Sequence, residues 1–188
     1  IMGTLAKKGE QEGLQVVIVS GDKDMMQMNS PSIRMLDAMK NKWFGSDDVV
    51  EKFGVTPDRV IDVMGLMGDS SDHIPGVKGV GPKTASELIK KFGSIAELYE
   101  RVEEVDKKKL KEKLVQDKEM ALLSRKLVTL NTSMDLEFEF ADLVLKPSND
   151  IELKKLFSEF EFSSLLGELE ESSTTTESFP EVERRYET

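Results

Sequence analysis

The sequence predicts an α/β protein in which the end of a mostly parallel-sheet domain is followed by a mainly helical domain carrying a helix-hairpin-helix. Three observations lead there. VVIVS, Val16 to Ser20, is β-branched and lacks polar alternation, which suits a parallel-sheet strand covered on both faces. From Ser46 onward, capping residues, apolar residues at helical spacing and terminal glycines succeed one another. Gly79-Val80-Gly81 then lies between two helical segments, the form of a helix-hairpin-helix.

Taken in order, Ile1 to about Gln11 forms the end of a helix, and Gly13 leads into the Val16 to Ser20 strand. SIRMLDAM and KNKWFG read as two short extended pieces, a β-hairpin over or beside the sheet. Ser46-Asp47-Asp48 offers an N-cap with acid in the first turn, predicting a helix to Phe53 that stops at Gly54. Thr56-Pro57-Asp58 repeats the start signal with proline at the first helical position. The helix that follows carries Val60, Val63, Met64 and Met67 on one core-facing side and ends at Gly68. Pro82 and Thr84 lie near the start of the helix containing ASELIKKF, which Gly93 closes, and Ser94 caps a short helix through about Arg101. A longer helix is predicted from Lys107 to Leu127, and Asn149 begins another with Leu153, Leu156, Phe157 and Phe160. From Glu170 the sequence turns polar, acidic and almost core-free, as a flexible linker does. The expected domains are therefore 1–45, the carboxyl-terminal part of the sheet domain; 46–169, the helical domain; and 170–188, the linker.

The chain has 188 residues and a net charge of −10. It opens on Ile1 with no signal peptide and no apolar run long enough to span a bilayer, and it reads as a piece excised from a larger protein. With no cysteine it lacks disulfides and thiolate metal sites, so any metal must be a hard cation on oxygen ligands; a cytoplasmic origin agrees with this. An acidic balance ordinarily argues against nucleic acid, because phosphate contacts need lysine and arginine. The excess is local, however: from Asn149 onward eleven acidic residues face four basic ones, whereas from His73 to Lys113 ten basic residues face seven acidic. A local basic patch sets the attraction for a polyanion. The run KKKLKEK, Lys107 to Lys113, taken alone reads as a solvated helix face.

Two acidic pairs carry the candidate chemistry. Asp22 and Asp24 follow the buried strand and Gly21, at the carboxyl end where open α/β sheets gather ligands. Asp69 and Asp72, in GDSSD, stand at the end of the helix begun at Thr56. Four carboxylates in one place repel and raise one another's pKa, and a divalent cation resolves the conflict. Each pair alone also fits an ordinary turn. HIPGVKGVGPKTASELIKKF, His73 to Phe92, is the most specific segment: its small residues let backbone N–H groups approach a phosphate, and Lys78, Lys83, Lys90 and Lys91 add charge around it. Such a grip touches backbone and reads no bases.

GDKDMMQ followed by LMGDSSDHIPGVKGVGPKTA resembles the 5′ nuclease domain of bacterial DNA polymerase I, in the flap endonuclease superfamily, from Ile1 to about Leu169. The resemblance implies that Asp22, Asp24, Asp69 and Asp72 are catalytic metal-site carboxylates, part of a cluster for two divalent ions, Mg²⁺ or Mn²⁺. It implies hydrolysis of phosphodiesters at 5′ ends, nicks and flaps during DNA replication and repair. It further implies duplex DNA held by Gly76, Lys78, Gly79, Val80, Gly81, Lys83 and Thr84, with K⁺ bridging hairpin carbonyls and phosphate. Polymerase domains are the expected downstream partners in the parent chain, with no membrane involved. His73 departs from the asparagine expected after GDSSD. The family's remaining acidic ligands, catalytic basic residues and helical arch belong upstream of Ile1, so this piece alone is expected to be inactive. Two other readings compete: a non-catalytic, sequence-independent duplex-binding module, and a signalling domain with an acidic pocket, which leaves the glycine hairpin unexplained.

Overall fold

A computed structural model of the chain describes residues 1–138 and 140–174. These divide into a larger unit, Ile1–Leu136, and a smaller one beginning at Glu137. The mixed α/β architecture agrees with the sequence reading: a small sheet and many helices.

In the larger unit α1 (Met2–Gln11) turns its small residues Gly3, Thr4, Ala6 and Gly9 inward. After it, β1 (Val16–Val19) pairs in parallel with β2 (Ile33–Asp37), from Val16 opposite Ile33 to Val19 opposite Leu36. β3 (Lys42–Phe44) returns antiparallel to β2, forming the predicted hairpin. A 3-10 segment, Lys23–Met28, links the parallel pair and buries Met25, Met26 and Met28. Coverage of β1 on both faces does not hold among the described residues. Val16 and Ile18 face the core, but Val17 and Val19 are 48% and 59% exposed, because α1 and the methionine-rich segment cover one side only.

The helix over Ser46–Phe53, α2, stops at a left-handed Gly54 as predicted, but its cap is one residue earlier. Gly45 is extended, and Asp48 Oδ2 accepts the Gly45 N–H at 2.8 Å, so Ser46 is already helical. The Thr56-Pro57 start opens as a 3-10 turn, Pro57–Arg59, and only then becomes α3 (Val60–Met67). Nearly every residue of α3 is buried, including Val60, Val63, Met64 and Leu66. Against it pack α4 (Pro82–Phe92), α5 (Ile95–Glu100) and α7 (Lys118–Val128), with α6 (Lys108–Gln116) leading into α7. Ser94 caps α5 as expected, its hydroxyl accepting the Glu97 N–H at 3.2 Å.

The single helix predicted from Lys107 to Leu127 is instead two, broken at Asp117 (φ −99°, ψ 19°). A tertiary contact lies at the break: Asp117 Oδ2 accepts the backbone N–H of Lys78 at 2.9 Å. Beyond it α7 packs Ala121, Ser124 and Val128 into the core. One buried carboxylate ties the bundle together, since Asp62 on α3 accepts from Arg125 Nε on α7 at 2.7 Å and from the Ile95 N–H at the start of α5 at 3.2 Å.

In the smaller unit Asn149 caps α8 (Asp150–Glu159) by accepting the Glu152 N–H, and α9 spans Ser163–Thr174. Phe162 lies near Phe157 and Phe160, with ring centroids 6.4 and 6.0 Å away. Helix α9 extends five residues into the stretch expected to be linker; the rest of that stretch, 175–188, lies outside the described residues. No helix among the described residues is long and apolar enough to cross a membrane.

Candidate metal centre and nucleic-acid interface

Asp24, Asp69 and Asp72 come together, each offering a carboxylate oxygen within 4.8 Å of the others. Two local structures do this. The 3-10 turn after β1 starts at Asp22, whose side chain accepts the Asp24 N–H at 3.0 Å and so aims Asp24 inward. After α3, Gly68 turns the chain, and Asp69 and Ile74 exchange both backbone hydrogen bonds, at 2.7 and 2.8 Å, which closes a loop holding Asp72. Asp22 is not in the group of three. It is exposed and contributes the cap and its charge.

The group is electrostatically loaded. Burial first, then the charges of Asp22, Asp69 and Asp72, push the Asp24 carboxyl up to about 6. Burial also pushes Asp69 upward, but the Lys23 ammonium at 2.7 Å and the Ser71 N–H at 3.0 Å outweigh it and hold Asp69 below the usual carboxylate range. Asp24 Oδ1 and Asp69 Oδ2 are buried and without hydrogen-bond partners. Orphaned carboxylate oxygens of this kind suit a hard divalent cation held by oxygen ligands. Lys23 was missed by the sequence reading, although its place between two aspartates was a visible signal.

The hairpin residues separate into those that build the turn and those that face outward. Gly76 is buried, gives its N–H to Ser124 Oγ at 3.0 Å, and lies so close to the chain at Gly68 that a Cβ would collide with backbone. Val80 is also buried and anchors the turn in the core. Gly79 is left-handed at φ +80°, whereas Gly81 is extended, with open space where a side chain would stand. The N–H groups of Gly79, Gly81, Lys83 and Thr84 find no partner among the described residues, and α4 begins here without a side-chain cap. Lys78 and Lys83 are exposed. A cavity of about 350 Å³ lined by Lys23, Lys52, Lys83 and Ser86, among others, runs from beside the carboxylates to the first turn of α4. Burial, then the charges of Lys23, Lys40 and Lys42, hold Lys52 below the usual lysine range. Neither Lys52 nor the Ser124 support had a signal in the local sequence.

The family model for the 5′-3′ exonuclease N-terminal resolvase-like domain matches residues 1–54, and that for the 5′-3′ exonuclease C-terminal SAM fold matches residues 55–151. The chain is 41% identical over 181 residues to DNA polymerase I of Bacillus subtilis (strain 168), covering 94% of this chain and 21% of that protein. It is 37% identical over 170 residues to a 5′-3′ exonuclease of Aquifex aeolicus (strain VF5), covering 90% of this chain and 57% of that one. The chain thus spans about a fifth of the length of the polymerase relative. In fold it is similar to the bacteriophage T5 D15 flap endonuclease solved with DNA and metal ions, with TM-score 0.60, 21% identity, and coverage of 68% of this chain and 48% of that one.

Proposed function

The chain belongs to the 5′-3′ exonuclease family, and from that premise we propose that it is the DNA-binding and partial metal-site portion of a structure-specific 5′ nuclease. Its substrate is duplex DNA with a 5′ end, nick or flap, and its setting is cytoplasmic replication and repair, with polymerase domains downstream. The convergence of Asp24, Asp69 and Asp72, with two buried oxygens left unpartnered, carries this reading.

A bound Mg²⁺ or Mn²⁺ ion supplies an acidified water and positive charge beside the scissile phosphodiester. The chain's own residues prepare the site. Asp24 and Asp69 present the orphaned oxygens, Asp72 closes the third side, and Asp22 fixes the Asp24 backbone while adding negative charge. Lys23 keeps Asp69 ionised. The free amides at Gly79 and Gly81 and the Lys83 ammonium grip a backbone phosphate without reading bases. Gly76 and Val80 hold that turn in place, with Lys78 and Thr84 beside it. K⁺ at the hairpin is part of the proposal, so replacing K⁺ by tetramethylammonium should weaken duplex binding.

The test is Mn²⁺ binding, followed by electron paramagnetic resonance, together with duplex binding by the same protein. Asp69→Asn with Asp72→Asn should abolish Mn²⁺ binding and leave duplex binding intact. Unchanged Mn²⁺ binding overturns the metal site. Duplex binding by a wild-type chain that takes up no Mn²⁺ favours the non-catalytic duplex-binding module.

A further inference from the structure

A second basic site lies beside the hairpin. A cavity of about 270 Å³ is lined by Gly79, Thr84, Lys107, Lys109, Leu110 and Lys113. It joins the left-handed turn of the hairpin to the lysine run that begins α6. Lys113 leans onto the turn, its Nζ lying 2.5 Å from where a Cβ on Gly79 would stand. The Lys113 ammonium and the Gly79 turn line the same cavity, so the run and the hairpin are one surface.

The lysines of the run have different settings. Lys111 is ion-paired with Glu103 at 3.0 Å. The side chains of Lys107, Lys109 and Lys113 form no ion pair among the described residues. Lys109 and Lys113 stand four residues apart on one helix face, a spacing at which like charges repel. The first turn of α6 carries no acidic residue, so Lys107 and Lys109 stand at the helix end where the backbone dipole also disfavours a cation, while Lys113 reaches back to the hairpin from the last turn. A solvated helix face has no need of this arrangement, whereas an anion seated among the three ammonium groups offsets it.

We propose that Lys107, Lys109 and Lys113, with the Gly79 turn and Thr84, form a seat for a backbone phosphate of the bound duplex, separate from the contact at Gly81 and Lys83. This rests on the reading of the hairpin as a duplex grip and extends that grip across α6. Two seats on rigid elements fix the direction of the duplex axis as well as its position, which a single hairpin contact does not.

The experiment uses the full chain and a labelled duplex, with anisotropy recorded across a salt series for four proteins. Wild type is compared with Lys107→Ala/Lys109→Ala/Lys113→Ala, with Gly81→Val, and with Lys111→Ala as a control that also removes a lysine of the run. Circular dichroism checks folding, and a parallel titration with inorganic phosphate follows the Gly79 and Lys113 amides by NMR. The triple variant should bind at least tenfold more weakly at low salt and lose about one unit of salt slope, one phosphate's worth. Lys111→Ala should match wild type, and phosphate should shift both amides in wild type only. A folded triple variant with wild-type slope overturns the second seat, as does an equal loss in Lys111→Ala. Weakening by Gly81→Val in that case leaves the hairpin grip standing. A wild-type chain that binds no duplex removes the grip itself.

Discussion

Asp24 holds its carboxyl at about 6 because burial and three neighbouring carboxylates oppose its charge. With the folded value above the unfolded one, protonation favours the fold. That contribution is complete below the unfolded value near pH 4 and lost as pH rises through 6. Asp24→Asn should therefore flatten the change in stability between pH 4 and 7 and raise stability at pH 7 by about 1 kcal/mol, the figure being reduced because the carboxylate is partly exposed. Urea denaturation at both pH values in chelator checks this. His73 presents a backbone question, since it sits at φ +57°, where asparagine and glycine are more comfortable than histidine. The asparagine expected from the resemblance is thus explained by conformation. His73→Asn should stabilise the fold by about 0.5 kcal/mol, read as a rise in thermal midpoint. At this scale the four aspartates were legible as pairs, because each pair is local. The exclusion of Asp22 from the group of three was not, since it depends on which way a one-turn 3-10 segment aims alternate side chains.

Among the elements, α3 and α7 meet at an unusually close crossing. A Cβ on Gly65 would approach Arg125 Cβ and Ile95 Cδ1 to 2.8 Å, so Gly65→Ala should cost about 1–3 kcal/mol by forcing the helices apart. Arg125→Ala should cost about 1–2 kcal/mol by a different route, leaving the buried Asp62 carboxylate with only the longer contact to Arg59 at 3.9 Å and the Ile95 N–H. Both changes are read as a lower urea midpoint at unchanged m-value. The crossing is also what supports the hairpin, since Ser124 on α7 receives the Gly76 N–H. Stop signals were the most legible feature of the helices: Gly54, Gly68 and Gly93 end them where the sequence reading placed them. The break at Asp117 was not legible, because helical periodicity continues through it and the competing partner, the Lys78 N–H, is distant in sequence.

For the whole molecule, a divalent cation that binds the folded carboxylates and not the unfolded chain should stabilise it by mass action, about 2.7 kcal/mol at a hundredfold excess over Kd. A thermal melt with and without Mg²⁺ checks this, and Asp69→Asn with Asp72→Asn should abolish the difference. The acidic total charge coexists with a basic stretch because the two are segregated along the chain, ten basic residues against seven acidic from His73 to Lys113 and four against eleven from Asn149 onward. The sequence by itself determined the strand, the hairpin, the glycine stops at Gly54, Gly68 and Gly93, the two acidic pairs and the glycine turn, since each depends on a few adjacent residues and the backbone conformations they permit. Only the tertiary structure decided that three carboxylates share a site, that Lys23 is their internal counter-charge, and that the lysine run of α6 faces Gly79. Those facts join residues tens of positions apart, and side-chain packing between helices, which local propensity does not encode, sets where they meet.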